Sequence, residues 1–421
     1  MLNDFYKQFK SGTDIRGVAS EGVEGQEVNL TNEVVRNMAG GFAMFLANKL
    51  QKKSTEMKVA VGRDSRISGE RIAGIVIRTL SDYGIEVYDC GLATTPSMFM
   101  TTVELGCDAA VQITASHHPF NRNGLKFFTR QGGLEGADIA EILEYAQEGA
   151  TPEEVLCGEI KEVNFMERYA EILCDIIKKG VNAEDYDMPL KGLHICVDAG
   201  NGVGGFYADK VLKVLGADTT GSRYLDPDGM FPNHVPNPED KVAMAAISEA
   251  VIESKADLGV IFDTDVDRGA AVDSKGNEIN RNRLVALASK VALDSCKGGT
   301  IVSDSVTSDG LAEFIKENGG IHLRFKRGYR NVINKQLELC KKGITCPLAM
   351  ETSGHAAFAE NYFLDDGAYL ITKLIIEAAA LASEGKCLED LIADLREPVE
   401  EKELRFKILC DDFRPEGEKI I

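Results

Sequence analysis

The sequence predicts an α/β protein: three consecutive α/β domains with mixed, mostly parallel, helix-covered sheets around a shared cleft, followed by the start of a truncated fourth domain. Three observations predict it. At 421 residues the chain is longer than one core usually supports. Short apolar runs alternate with amphipathic stretches, the pattern of sheets clad in helices. Three apolar runs end in a chemically loaded loop, at Ser116, Asp263 and Glu351, and in such folds ligands bind beyond the carboxyl ends of the strands. The domains are expected at 1–155, 156–296, 297–398 and, for the truncated fourth, 399–421.

In the first unit, Gly12-Thr13-Asp14-Ile15-Arg16-Gly17 reads as a loop whose glycines let it lie against a ligand and present a guanidinium. By itself it is an ordinary surface turn. From Lys58 the alternation begins. Val59–Val61 is a strand, and 70–83 is an amphipathic helix with Ile72, Ile75, Val76 and Leu80 on one face. Strand 85–88, helix 97–105 and strand 109–113 follow. The turn Arg63-Asp64-Ser65-Arg66, although at a strand end, reads as a salt-bridged surface turn. Strand 109–113 delivers Thr114-Ala115-Ser116-His117-His118-Pro119, and the chain re-enters a strand at 125–128. Ser116 has His117 beside it and Lys126 ten positions on. Cations to stabilise an ester's charge and a base to manage protons suit a serine that carries a phosphoryl group. The plain alternative is a serine in a turn before proline.

A polar stretch over 147–159 marks the first boundary, and a helical segment over 164–179 bridges to the second unit. There a strand at 193–197 ends in Asp198-Ala199-Gly200-Asn201-Gly202, with a helix predicted over 204–215, a loop over 226–240 and a helix over 242–254. The apolar strand 258–262 then runs into Asp263-Thr264-Asp265-Val266-Asp267-Arg268. Carboxylates at i, i+2 and i+4 on an extended chain share one side, where a cation must offset their repulsion. Hard oxygen ligands suit Mg²⁺. An EF-hand is excluded, because Arg268 and Ser274 stand where that loop needs Gly and Glu.

The helix over 283–293 leads to a Lys-Gly-Gly boundary at 297–299, and the third unit follows with strand 300–303, helix 311–317 and strand 321–325. Lys326-Arg327-Gly328-Tyr329-Arg330 sets three cations at a strand end, which grips a phosphate as readily as it decorates a surface. Strand 346–350 ends in Glu351-Thr352-Ser353-Gly354-His355, groups able to hydrogen-bond adjacent sugar hydroxyls. A helix over 367–383, a linker near Arg396-Glu397-Pro398 and a strand over 404–409 complete the reading.

Composition narrows the function classes. A net charge of −20 argues against a nucleic-acid partner. The ten cysteines are scattered, with Cys107, Cys196 and Cys346 in apolar settings, which favours core residues and a reducing compartment. The first residues lack the apolar core of a signal peptide and no run approaches membrane-spanning length, so a cytoplasmic protein, monomeric or a homodimer, is expected.

Taken together, Thr-Ala-Ser-His-His-Pro with Asn123-Gly124-Leu125-Lys126, Asp263 to Arg268, and Glu351 to His355 resemble, in order, the motifs of the α-D-phosphohexomutases, the phosphoglucomutase and phosphomannomutase superfamily. The resemblance runs from about Gly12 to Asp366. One departure is His118, where the family usually has Asn. The resemblance implies that Ser116 is held as a phosphoserine and exchanges its phosphate with a hexose phosphate through a hexose 1,6-bisphosphate. It further implies that Asp263, Asp265 and Asp267, with Ser116, hold Mg²⁺, and that Arg268 faces the phosphate. Lys126, His117 and His355 become candidates for proton transfer, with Arg16 assisting. Glu351 and Ser353 would read the sugar, and Lys326, Arg327 and Arg330 would bind phosphate. The Ser-Gly-His form is nearest the phosphomannomutase/phosphoglucomutase group, with phosphoglucosamine mutase as an alternative. Two further alternatives are a haloacid-dehalogenase-type phosphotransferase with Asp263 as nucleophile and a sugar-phosphate-binding protein without turnover. The family's fourth domain carries an Arg-x-Ser-Gly-Thr-Glu-Pro-type phosphate loop, which Arg414-Pro415-Glu416-Gly417 matches only superficially. A chain truncated there is expected to accept a phosphoryl group on Ser116 but to interconvert hexose phosphates poorly.

Overall fold

Strict alternation of side chains explains how the first sheet is buried on both faces. Val59, Val61, Val111 and Phe127 point to one core, while Ala60, Ala110 and Phe128 point to another. The computed structural model describes residues 2–400 and 402. The expected strand at 404–409 and the Arg414–Gly417 segment lie outside the described residues.

The first sheet runs in the order Lys10–Ser11, Asp14–Val18, Arg122–Thr129, Ala109–Ile113, Lys58–Arg63, Glu86–Leu92, Ile160–Glu162, and Gly132–Gly133 pairs on the side with Arg122–Thr129. Its central strands are parallel; Arg122–Thr129 is antiparallel to both neighbours. Helices Asn32–Leu50, Gly69–Asp82 and Gly136–Gln147 cover one face, and Thr95–Glu104 covers the other. The second sheet has the order Glu278–Ile279, Gly269–Asp273, Leu258–Phe262, Ile195–Asp198, with its last pair parallel and the others antiparallel. In the third, Thr300–Ser303 lies parallel to Ile321–Arg324 and Leu348–Met350, and two short antiparallel strands, Ala356–Phe358 and Leu364–Asp365, complete the edge. The fold is thus three α/β units with mixed sheets. One hydrophobic core runs from Phe99 through Phe262 to Tyr369, joining all three.

Several elements differ from the sequence reading. Asp14–Val18 is a strand rather than a loop, because Arg122–Thr129 offers it a ladder. The helix expected over 204–215 is a wide π-type segment, Tyr207–Leu212, in which the Lys213 N–H reaches back to the Ala208 C=O. Strand 193–197 begins two residues later, at Ile195. Among the described residues no helix is long and apolar enough to cross a membrane.

Candidate active site

Ser116 sits at the end of Ala109–Ile113 with φ 51°, a left-handed value that non-glycine residues seldom adopt. Its N–H donates to Thr114 Oγ1 at 2.9 Å. The bend turns Oγ toward the second unit, where it donates to Asp263 Oδ2 (3.2 Å) and accepts from Arg268 Nη2 (2.9 Å). His117 Nδ1 lies 3.2 Å from the same hydroxyl. It also contacts Arg268 Nη2, which has only N–H to offer, so Nδ1 is the acceptor. Burial, reinforced by Arg268, pushes the His117 imidazole down to about 2, so it is neutral near pH 7. His118 stacks on His117 at 5.2 Å.

The three aspartates converge by a different route from the one their spacing suggests. Beyond Phe262 the chain leaves the strand and turns, with Val266 at φ 64° although it is β-branched and fully buried. The turn, and not strand periodicity, brings carboxylate oxygens of Asp263, Asp265 and Asp267 within 4.8 Å of one another. Burial together with Asp267 and Asp265 pushes the Asp263 carboxyl well above the usual range. Asp267 is held well below it, because Lys126, His355 and Arg268 outweigh the cost of burial. Two buried oxygens, Asp265 Oδ1 and Asp267 Oδ1, have no hydrogen-bond partner among the described residues. A cluster of hard oxygens with unmet acceptors beside Ser116 Oγ fits a divalent cation such as Mg²⁺.

The remaining predicted residues are distributed around this centre. Lys126 does not reach Ser116: its ammonium pairs with Asp267 and, at 3.4 Å, with Asp265. Burial works against that charge, but Asp265 and Asp267 keep the lysine well above its ordinary pKa. His355 donates from Nδ1 to Asp365 Oδ2 at 2.6 Å and stacks on Tyr329 at 5.0 Å. Against the effect of burial, Asp365 and Asp267 raise it to about 9. Arg16 pairs with Asp14 at 2.9 Å and keeps a buried Nε with no hydrogen-bond partner among the described residues. Glu351 accepts from the Gly328 N–H at 2.5 Å and from Ser353 Oγ at 3.4 Å, so the sugar-loop candidates are tied to the basic segment. In that segment Lys326 is exposed, and Arg327 donates to Glu239 at 3.3 Å. Arg330 is turned away from the serine: its fork is engaged by Glu135 at 2.7–2.9 Å.

One opening reaches the cluster itself, and a second lies beyond Glu239, which is 3.7 Å from Arg268. A cavity of about 440 Å³ reaches Lys126, Asp267 and Asp365, and its wall sets Phe99, Phe128 and Leu337 beside Arg130 and Arg330. A smaller one of about 200 Å³ is lined by Glu239, Arg281, Arg327 and Thr352.

Two residues that the motifs did not single out prove central. Tyr329 bridges units, with its hydroxyl 3.1 Å from Thr13 Oγ1 and the Lys126 ammonium 5.8 Å from its ring centre. Arg66, expected in a surface turn, is only 1% exposed. Its job is invisible in sequence because its partners, Asp64 apart, are main-chain carbonyls.

Family models for phosphoglucomutase/phosphomannomutase α/β/α domains I, II and III match residues 7–153, 172–276 and 280–399. A phosphomannomutase/phosphoglucomutase of Pseudomonas syringae pv. tomato is 31% identical over 354 residues, 84% of this chain and 72% of that one. The chain belongs to the phosphoglucomutase/phosphomannomutase family. A phosphoglucosamine mutase of Alkaliphilus oremlandii is 32% identical over 389 residues, 90% of this chain and 80% of its own length. Among solved structures, a phosphoglucomutase/phosphomannomutase family protein from Burkholderia thailandensis superimposes with a TM-score of 0.77 at 28% identity, covering 95% of this chain and 81% of that one. Membership in the phosphoglucomutase/phosphomannomutase family accounts for all three loops at once, whereas the dehalogenase-type alternative gives the serine loop no task.

Proposed function

We propose that this chain is a phosphohexomutase that interconverts hexose 1-phosphate and hexose 6-phosphate of the glucose or mannose series through a phosphoserine at Ser116 and a bisphosphorylated sugar. The observation that carries the reading is the shared hydroxyl: Ser116 Oγ meets both the carboxylate Asp263 and the guanidinium Arg268. A nucleophilic oxygen needs an anionic partner when it holds a proton and a cationic one when it holds a phosphoryl group.

Asp263, Asp265 and Asp267, with Ser116 Oγ, would hold Mg²⁺. When bound, such an ion withdraws charge from phosphate oxygens. Arg268 donates to the phosphoryl group on Ser116, and its fork is kept in place by Asp263 and by Asn237, 3.3 Å away. Glu351 and Ser353 accept and donate to sugar hydroxyls, while Lys326 and Arg327 attract the non-reacting phosphate. Arg16, whose Nε has no hydrogen-bond partner among the described residues, is placed to support substrate from the first unit. Lys126, His117 and His355 remain the proton-transfer candidates. A protonated His355 donates, and a neutral His117 accepts. Arg330 serves the seam between the first and third units. The likeness to the Alkaliphilus enzyme sustains a second reading with a glucosamine phosphate as substrate.

Intact mass before and after incubation with glucose 1,6-bisphosphate tests the reading. The chain should gain one phosphoryl mass in Mg²⁺, little in Zn²⁺, and none after Ser116→Ala. A gain that survives the substitution and maps to Asp263 would transfer the chemistry to the dehalogenase-type alternative. Relative turnover of glucose, mannose and glucosamine 1-phosphates then assigns the sugar.

A further inference from the structure

Arginine is almost never fully buried without partners, and the partners of Arg66 are unusual. Its Nε meets Asp64 at 3.2 Å. Every other hydrogen bond the guanidinium donates goes to backbone of the serine loop. Nη1 donates to the carbonyls of Pro119 (2.7 Å) and Arg122 (3.0 Å), and Nη2 to those of His118 (2.7 Å) and Ser116. One planar fork thus collects four carbonyls spanning the loop from its reactive residue to its end.

Asp64 fixes that fork in turn. It accepts from the Arg66 N–H at 2.9 Å and from Thr114 Oγ1 at 2.7 Å, and Thr114 Oγ1 itself accepts the Ser116 N–H. Both backbone polar groups of Ser116 are therefore held by one closed circuit, Thr114–Asp64–Arg66. That circuit maintains a left-handed conformation that is strained for a non-glycine residue. Without it the backbone would relax and swing Oγ off Asp263 and Arg268.

The other face of the guanidinium reaches the second unit. Its carbon lies 5.2 Å from the centre of the Phe231 ring. Nearby, a side chain on Gly229 would collide with the backbone of Ser65 and Ile67, so the two segments pack main chain to main chain. The segment holding Phe231 continues to Asn237 and Glu239, which lie 3.3 and 3.7 Å from Arg268.

We propose that Arg66 is a positioning residue for phosphoryl transfer: it holds the Ser116 backbone in the conformation that aims Oγ, and its packing on Phe231 registers the serine loop against the segment that positions Arg268. The role rests on the mutase reading, and Arg66 itself touches no reacting atom. A lysine keeps the charge but offers a point of three donors where four carbonyls need a fork.

The test compares the full wild-type chain with Arg66→Lys and Phe231→Leu. The readouts are thermal unfolding, the rate of Ser116 phosphorylation by glucose 1,6-bisphosphate, and its dependence on bisphosphate concentration. Arg66→Lys should fold, yet phosphorylate about a hundredfold more slowly at saturation, the penalty of a misplaced reacting group. Its half-saturating concentration should stay within about threefold, because no substrate contact is removed. Phe231→Leu keeps every hydrogen bond and should slow the saturated rate by about three- to tenfold, with half-saturation again unmoved. A folded Arg66→Lys that matches the wild-type rate, or whose loss lies in half-saturation alone, overturns the positioning role. Should Arg66→Lys not fold, Phe231→Leu decides, and an unchanged rate overturns it. A wild-type chain that takes no phosphoryl group defeats the mutase reading first, and this role with it.

Discussion

Asp304 is a carboxyl with poor provision for its charge. It is fully buried, Thr352 donates to one oxygen at 2.8 Å, and the other has no hydrogen-bond partner among the described residues. Burial pushes it up to about 6, with the Thr352 hydroxyl acting in the opposite direction. Between roughly pH 4 and 6 the native state keeps a proton that the unfolded chain has released. Stability should therefore fall as pH rises through that window and stay level above it. Asp304→Asn should stabilise the protein by about 2 kcal/mol at pH 7.5 and by almost nothing at pH 4, as urea titrations at the two pH values would show. An equal effect at both would mean that the native carboxyl carries no such proton. The contrast with Ser116, Asp263 and Arg268 shows what single residues reveal. Those three stand in motifs whose chemistry is local, and the fold brings them into contact. Asp304 and Arg66 owe their importance to enclosure and to distant carbonyls, which no neighbouring residue announces.

Elements were legible where hydrophobic period and punctuation agreed, as in strands Ala109–Ile113 and Leu258–Phe262. Helix Asn32–Leu50 is obscured by Gly40-Gly41, a pair that reads as a breaker. The glycines serve packing instead: side chains there would strike the carbonyls of Ala150 and Ile142. Tyr329–Lys341 hides for another reason, since its first residues belong to a basic segment that resembles a loop. The same backbone proximity governs Gly367, which opens helix Gly367–Ser383 directly against Arg268 at the end of the aspartate loop. An added Cβ would lie 2.7 Å from the Arg268 carbonyl oxygen. Gly367→Ala should cost about 1–3 kcal/mol and slow Ser116 phosphorylation by displacing Arg268. Gly74, inside helix Gly69–Asp82, has open space around it, so Gly74→Ala should add about 0.5–1 kcal/mol. Chemical denaturation of the pair checks both signs, and equal effects would contradict the packing argument.

At the scale of the molecule, the site exists only where three units meet. Thr95 of the first donates to Asp265 of the second, Arg268 of the second bridges to His355 of the third, and Tyr329 of the third returns to Thr13 of the first. The outer brace is Glu135, which binds both Arg330 and Asn334. A double-mutant cycle with Glu135→Gln and Arg330→Gln should give a coupling of about 1 kcal/mol or less, because Glu135 is 46% exposed and solvent screens it. A coupling of several kcal/mol would mark the brace as essential to assembly. Sequence could foretell three loops and one cleft, but not which pairs join the units, since their partners lie far apart along the chain.

The left-handed backbone of Ser116 also bears on how long a phosphate stays there. Enzymes that erase phosphate from proteins act on segments they can draw out into an extended form, and this loop is folded under a guanidinium with its serine only 4% exposed. On the proposed reading, a phosphorylated Ser116 would be a private store, passed to sugars and closed to general turnover of phosphoproteins. A broad-specificity protein phosphatase should leave it intact in the folded chain and remove it once the loop has been released by proteolysis; ready removal from the folded chain would show that the loop opens on its own.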